Sequence, residues 1–281
     1  MKVLVTGANG QLGHDLMRHL PARGVECRGI DIQDLDLTDR DATRAYLLAY
    51  APDVVMHCAA YTAVDRAEAE PEVCRRINAD ATRTIAEVCR ELDAVMVYIS
   101  TDYVFDGEGD APYETGAPRG PKSVYGATKA GGEDAVTENL QKFFLVRVSW
   151  VFGVNGKNFV RTMLRLGAEK ESLNVVDDQI GSPTYTDDLS RLLSDMIETD
   201  RYGVYHATNE GFCSWAEFAR AIMEKAGLPC RINPIATSEY PSAAARPLNS
   251  RLSKRSLDEA GFQRLPRWED ALDRFLKEIA E

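Results

Sequence analysis

Short apolar runs alternate with amphipathic stretches along the first half of the chain. Val3-Leu4-Val5, Cys27 to Ile30, Val54 to Met56, Ala94 to Ile99 and Phe143 to Val148 have the length and composition of buried strands. Between them, Gln11 to Leu20, Asp39 to Tyr50, Pro71 to Leu92 and Ser123 to Asn139 read as helices. Pro71 falls in a first turn, where its missing N–H costs nothing. Regular strand–helix alternation predicts right-handed βαβ units, hence an α/β fold with a doubly wound parallel sheet. After residue 150 the pattern loosens. Phe159 to Glu171, Asp187 to Glu198, Ser214 to Ala226 and Trp268 to Ala280 read as helices, whereas Leu228 to Pro247 carries prolines at 229, 234, 241 and 247 and little periodicity. The expected organisation is a dinucleotide-binding domain over 1–150 and a smaller mixed α/β substrate-binding domain over 151–281, the two to some extent interleaved. Ligand chemistry then belongs just after the apolar runs, at the carboxyl ends of the strands.

At 281 residues, 44% of them hydrophobic, roughly three quarters of the unfolded surface can be buried, so no disulfide or metal staple is required. Asp and Glu number 44 against 33 Lys and Arg, a net charge of −11. That balance argues against nucleic acid and against an anionic membrane surface as partners. The six cysteines form no C-x-x-C, which excludes the usual zinc and redox-dithiol patterns and leaves scattered reduced thiols as the expectation. Val3 to Val5 is too short for a signal sequence or a membrane span. A cytoplasmic protein is expected.

The first run ends in Thr6-Gly7-Ala8-Asn9-Gly10-Gln11-Leu12-Gly13 and passes straight into a helical stretch. Gly7 permits the tight turn, Gly10 lets the backbone approach a diphosphate, and Gly13 lets the helix pack close to the strand. The helix N-terminus offers free N–H groups to the anion. A strand before and a helix after make this G-x-x-G-x-x-G a dinucleotide site, and the sheet Rossmann-type. The second run ends at Asp31, where a carboxylate accepts hydrogen bonds from the adenosine ribose. It repels a 2′-phosphate by roughly 1–4 kcal/mol at 4 Å, depending on screening. Asp31 therefore favours NADH over NADPH, with Arg28 and Arg40 as groups that could offset it.

Tyr125 and Lys129 stand one helical turn apart and share a face. A neighbouring ammonium lowers a phenol from about 10 towards neutrality, which makes Tyr125 a usable general acid for a carbonyl oxygen receiving a hydride. Thr101, ending the fourth run, can complete a hydrogen-bond pair on that oxygen. His57 has no Cys or Asp at ligand spacing and is assigned to packing. No residue is assigned to a metal.

These residues resemble the extended short-chain dehydrogenase/reductase superfamily and, within it, the dTDP-4-dehydrorhamnose reductases, over essentially the whole chain. The resemblance rests on Gly7 to Gly13 (GANGQLG), Ala59 to Asp65 (AAYTAVD), Ser100 to Phe105 (STDYVF) and Val124 to Lys129 (VYGATK). It continues in Ser149-Trp150-Val151, Asn158 to Leu166 (NFVRTMLRL), Asp178-Gln179 and Arg246 to Leu252 (RPLNSRL). It implies reduction of the 4-keto group of dTDP-4-dehydro-L-rhamnose to dTDP-L-rhamnose by NADH or NADPH, with a nucleotide sugar as substrate. By position, Gly10, Gln11 and Leu12 would meet the cofactor diphosphate and Asp31 the ribose. Asp36, Leu37, Ala60, Tyr61 and Thr62 would line the rest of the cofactor groove. Tyr125 would be the proton donor and Lys129 would orient the nicotinamide ribose. Thr101 and Asp102 would contact the sugar, Trp150 would pack on it, and Arg246, Asn249 and Ser250 would help hold the substrate end. Some members bridge dimers through Mg²⁺ held by acidic residues, one of them in the first helix. Asp15 stands there, which leaves Mg²⁺ and a homodimer open.

Two other readings share parts of this pattern. A nucleotide-sugar epimerase or dehydratase has the same fold, cofactor and Tyr–Lys pair, but the dehydratases carry Thr-Asp-Glu where this chain has Thr101-Asp102-Tyr103. A cofactor-binding regulatory subunit, resembling the β-subunit of methionine adenosyltransferase, need not keep the Tyr, Lys and Thr that all stand here.

Overall fold

The five apolar runs are strands β1 (Lys2–Thr6), β2 (Glu26–Ile30), β3 (Val54–His57), β4 (Val95–Thr101) and β5 (Phe143–Val148). In the computed structural model, which describes residues 1–280, they lie parallel in the order β5-β4-β3-β1-β2. The helices of this half are α1 (Gln11–Ala22), α2 (Arg40–Tyr50), α3 (Val64–Ala67), α4 (Pro71–Arg75), α5 (Ala81–Glu91) and α6 (Val124–Asn139). Because successive strand side chains point to opposite faces, each strand feeds two cores. Val3, Val5, Met56, Val97 and Val146 pack with Leu12, Leu16 and Leu20 of α1. Leu4, Val55, Met96 and Leu145 pack on the other face with Leu47 of α2, Ile85 of α5 and Val136 of α6.

The chain does not leave this sheet at residue 150. It runs through β6 (Val151–Phe152), α7 (Phe159–Glu169), β7 (Ser172–Val176), β8 (Ile180–Gly181) and β9 (Thr184–Tyr185) into α8 (Thr186–Met196) and β10 (Gly203–His206). β10 pairs in parallel with β5 as a sixth strand. α8 buries Leu189, Leu192, Leu193 and Met196 in the core that α1 covers. The chain then continues through β11 (Cys213–Ser214), α9 (Trp215–Lys225), β12 (Arg231–Ile235), α10 (Arg255–Glu259) and α11 (Trp268–Glu278). A second core gathers Phe152, Val160, Tyr185, Phe218, Ile222, Trp268 and Phe275.

Two elements depart from the sequence expectation. The single helix expected from Pro71 to Leu92 is α4 and α5 joined by a π-helical turn over Arg76–Asp80. Its wider turn carries Asn78 inward, and the buried amide accepts from Tyr61 N at 2.8 Å and donates to Tyr61 O and Thr128 Oγ1 at 3.2 and 3.1 Å. Those bonds compensate the irregular turn, and sequence periodicity does not register one added residue. The irregular stretch expected from Leu228 to Pro247 contains β12, paired in parallel with β7. In a two-stranded sheet both strands are edges, so Pro234 sits where its missing donor is tolerated. All six cysteines are free, and no helix among the described residues is long and apolar enough to cross a membrane.

Candidate active site

A crevice of about 900 Å³ opens at the carboxyl ends of the parallel strands. One end is the loop between β1 and α1. Gly7 has φ +66°, and a Cβ there would stand 2.7 Å from Ala59 N; a Cβ on Gly13 would stand 2.2 Å from Gly7 O. Gly10 N donates to Gly7 O at 2.9 Å. Gly10 is also the N-cap of α1, which has no side-chain cap and no acid in its first turn. The first N–H groups of α1 are therefore unclaimed by side chains, the arrangement that suits a diphosphate. Asp31 faces the crevice, with one oxygen accepting from Asn9 N at 2.9 Å and the other from Ile32 N at 2.8 Å. The glycine cradle, the free helix end and the ribose-level carboxylate together fit a nicotinamide dinucleotide.

Gln11, Leu12, Asp36, Leu37, Ala60 and Thr62 also line this half. Gly13 and Tyr61 do not. Gly13 serves the close packing inside the loop, and the Tyr61 hydroxyl is turned to Glu70 at 2.8 Å. The segment after β6 contributes groups that sequence reasoning missed. Asn155 donates to Asn9 O at 2.7 Å and Asn158 to Gln11 Oε1 at 3.0 Å, which holds the segment across the glycine loop. Lys157 lies between these two asparagines and lines the crevice. Only the NFVRTMLRL motif, which begins at Asn158, hinted at this strap.

Further in, Thr101, Asp102, Tyr125 and Lys129 converge from β4 and α6. Ser123 caps α6 by accepting from Gly126 N at 3.1 Å. A Cβ on Gly126 would lie 2.2 Å from Tyr103 O, so the helix starts hard against the end of β4. That contact sets Tyr125 beside Thr101 and brings its ring 5.5 Å from Tyr103, edge to face. Lys129 is buried, with its Nζ 4.1 Å from the centre of the Tyr98 ring. Burial lowers it to about 7, against the pull of Glu133 one turn further along the helix.

The electrostatics of Tyr125 correct the sequence expectation. Its pKa is raised, first by burial and then by the Asp102 carboxylate, and only a hydrogen bond from Thr101 pulls the other way. Lys129 shares its helical face but does not set its charge. Asp102 is itself lifted to about 6 by burial, which outweighs the hydrogen bonds from Ser250 and Thr101.

The opposite end of the crevice is walled by Trp150 and Trp215, stacked with centroids 3.7 Å apart. Trp150 has φ +49°, strain of the kind that surrounding structure must hold in place. Trp215 was not expected, because nothing in sequence spacing links the first residue of α9 to Trp150. Arg246, Asn249 and Ser250 do not line the crevice. Arg246 donates to the Tyr103 hydroxyl at 3.1 Å and pairs with Asp65. The Asn249 amide donates to Ala111 O at 2.8 Å and Glu108 O at 3.2 Å, and Ser250 donates to Asp102.

Asp15 does not fit a Mg²⁺ site. It is fully buried, with one oxygen accepting from Arg18 at 3.3 Å and the other from the Thr186 hydroxyl at 2.5 Å. Arg18 also bonds Glu278 at 2.7 Å, so a guanidinium already lies between the two acids. Among the described residues no cluster of three or more His, Cys, Asp or Glu could hold a metal.

A family model described as the RmlD substrate binding domain matches residues 1–281. The chain belongs to the RmlD substrate-binding-domain family. Over 278 residues it is 42% identical to the spore coat polysaccharide biosynthesis protein SpsK of Bacillus subtilis strain 168, covering 99% of this chain and 97% of that protein. It superposes with a TM-score of 0.98 on the crystal structure of a dTDP-4-dehydrorhamnose reductase from Clostridium acetobutylicum, at 38% identity and 100% coverage of both chains. With the dTDP-4-dehydrorhamnose reductase of Bacillus anthracis, solved in complex with NADP, the TM-score is 0.96 at 42% identity over 99% of each chain. The resemblance carried by the motifs and the Rossmann-type fold are both borne out.

Proposed function

We propose that this protein reduces the 4-keto group of dTDP-4-dehydro-L-rhamnose to dTDP-L-rhamnose in nucleotide-sugar biosynthesis. The observation that carries this reading is the convergence of Tyr125, Lys129 and Thr101 in the crevice that also contains the glycine loop. The RmlD family match and the end-to-end likeness to dTDP-4-dehydrorhamnose reductases support it. On this reading the first sheet, including residues 186–206, is the cofactor half, and most of the remaining C-terminal chain is the substrate half.

Gly7, Gly10, Gln11 and Leu12 hold the dinucleotide diphosphate, Gly13 gives the loop its shape, and Asp31 accepts from the ribose. Asp36, Leu37, Ala60 and Thr62 line the groove beyond. When bound, the reduced nicotinamide supplies the hydride. Tyr125 gives its proton to the carbonyl oxygen as negative charge develops there. A phenol with a raised pKa is fully protonated at neutral pH, and an alkoxide is basic enough to take that proton. Thr101 and Asp102 would contact the same oxygen and the sugar, Trp150 would pack on the sugar, and Lys129 would orient the cofactor ribose. Arg246, Asn249 and Ser250 serve the substrate end indirectly, by fixing Tyr103, the 108–111 loop and Asp102. Asp31 favours NADH, while Lys157, a cation lining the same half, favours phosphate-bearing ligands.

The test is to mix the purified protein with NADH or NADPH and the keto-sugar generated in place by the preceding enzymes. Oxidation of either cofactor, dependent on the sugar, is expected. No oxidation of either would favour a regulatory cofactor-binding role instead.

A further inference from the structure

Trp215 reaches the crevice from the C-terminal half of the chain, and none of the chemistry above uses it. Its ring stacks on Trp150 with centroids 3.7 Å apart and planes 14° from parallel, and Phe159 packs against it at 4.5 Å. Gly181 comes so close to Trp150 that a Cβ there would stand 2.8 Å from the indole Cε2. The Trp150 backbone, at φ +49°, is tied to the segment that follows Gly181. Trp150 O accepts from Thr184 N at 3.1 Å, while Ser149 donates to Ser182 O at 2.7 Å and its carbonyl accepts from Thr184 Oγ1 at 2.6 Å. β8, which carries Gly181, pairs with β11, which leads directly into Trp215. Main-chain bonds, a glycine and a second indole therefore all act on one side chain.

We propose that Trp215 is a positioning residue for the substrate: stacked on Trp150, it sets that indole, before any ligand arrives, as a rigid wall for the sugar. This rests on the reductase reading above, in which Trp150 packs on the sugar, and it names what holds Trp150 ready. The ligand class is a pyranose, whose C–H groups pack on a flat apolar face while its hydroxyls stay with polar groups. An indole free to turn would be immobilised only on binding, and ordering one such side chain costs up to about tenfold in affinity. A bulky residue at positive φ persists only where its surroundings over-determine it. The stack and the bonds to 182–184 supply that constraint. Trp215 also belongs to the second core, beside Phe159 and Phe218. Core packing accounts for an aromatic residue there, but not for a near-parallel stack on a second indole that lines the same crevice.

Trp215→Leu keeps apolar volume against Phe159 and Phe218 but offers no flat face. Its KM for the keto-sugar should rise about tenfold while kcat falls less than about threefold, the pattern of binding lost equally from ground and transition states. Its affinity for NADPH, read by titration, should be unchanged, because the glycine loop is built elsewhere. Trp215→Phe keeps a ring and should restore most of the KM. Gly181→Ala leaves Trp215 intact but puts a methyl group against the Trp150 indole, so it should raise KM as well. Adding Trp215→Leu to Trp150→Ala should raise KM no further, since a residue that acts through another has nothing left to act on.

The chain has three tryptophans, so protein labelled with 5-fluorotryptophan gives three fluorine resonances, that of Trp150 being the one lost in Trp150→Ala. Without ligand, this resonance should be a single narrow line in the wild type and broadened or divided in Trp215→Leu. A single narrow Trp150 line in ligand-free Trp215→Leu overturns the proposal. So does a further rise in KM when Trp215→Leu is added to Trp150→Ala, which would make Trp215 a contact for the ligand itself. Should Trp215→Leu fail to fold, Gly181→Ala decides alone, and a wild-type KM in that variant overturns the proposal too. If the wild-type protein oxidises no cofactor with the keto-sugar, the reductase reading fails, and the fluorine spectra still decide whether Trp215 sets Trp150.

Discussion

The two ends of the crevice are built from different materials. The glycine end is one continuous stretch, residues 7–13, in which the backbone itself makes the surface and two positions have no room for a Cβ. The other end, the proposed sugar site, is assembled from side chains that are far apart in sequence. Arg246 holds both Tyr103 and Asp65, Ser250 reaches Asp102 across 148 positions, and Trp150 stacks on Trp215. A backbone-built surface depends on the absence of atoms, whereas a surface built from side chains depends on each hydrogen bond being made. The first should fail abruptly on adding a methyl group. The second should degrade in steps.

The sharpest break is expected at the junction of the two ends. Tyr125→Phe should keep cofactor binding but lower turnover by about 10²-fold or more, the scale of a positioned general acid. Turnover within threefold of wild type would show that the proton comes from elsewhere. Gly13→Ala tests the backbone end alone. Its Cβ would meet Gly7 O at 2.2 Å and Ala8 Cα at 2.8 Å, both main-chain atoms that cannot swing aside. Cofactor affinity, read by titration, should fall by about 10²-fold, since displacements of about 1 Å in a positioning loop cost that much.

A smaller change is expected from Asp31→Ala, which removes one carboxylate together with its bond from Asn9 N but adds no atoms to the loop. The ratio of kcat/KM for NADPH over NADH should rise about tenfold, corresponding to roughly 1.4 kcal/mol of relieved repulsion. An unchanged ratio would mean that Asp31 does not face the ribose. The smallest effect is on stability at the sugar end. The Asp102 pKa is raised from 3.8 to about 6 on folding, so between those values the native state binds more protons than the unfolded one. Its contribution to stability is present in full below about 4 and is lost as pH rises through about 6. Thermal unfolding should show wild type losing stability relative to Asp102→Asn across that window, and parallel pH curves would contradict the assignment.

How far sequence could see follows the same division. The five parallel strands and the glycine loop were legible because burial and turn geometry leave local marks, an apolar run at Val3 and glycines at 7, 10 and 13. Tyr125 and Lys129 were legible as a helical pair, but the direction of the Tyr125 shift was not. It depends on Asp102, which follows β4 rather than lying on α6, and on burial, which no spacing records. β10 and α8 rejoin the first sheet through pairing with β5 and packing on α1, contacts between residues more than fifty apart. Arg246, Asn249 and Ser250 could be singled out by motif, yet their work is done on Tyr103, the 108–111 loop and Asp102 rather than in the crevice wall.

The central claim is that this site reduces a keto-sugar and does not create one. Tyr103 stands where a dehydratase would carry its second acid, and its hydroxyl is occupied as an acceptor from Arg246 at 3.1 Å. That leaves Asp102 as the only carboxyl group within the Thr101–Tyr103 segment. The most direct measurement is to give the purified protein dTDP-4-dehydro-L-rhamnose with reduced cofactor and, separately, dTDP-glucose with NAD⁺, and to analyse both products. Stoichiometric cofactor oxidation with formation of dTDP-L-rhamnose in the first, and unchanged dTDP-glucose in the second, are the predicted results. Formation of a 4-keto-6-deoxy sugar from dTDP-glucose by this protein alone would contradict the account.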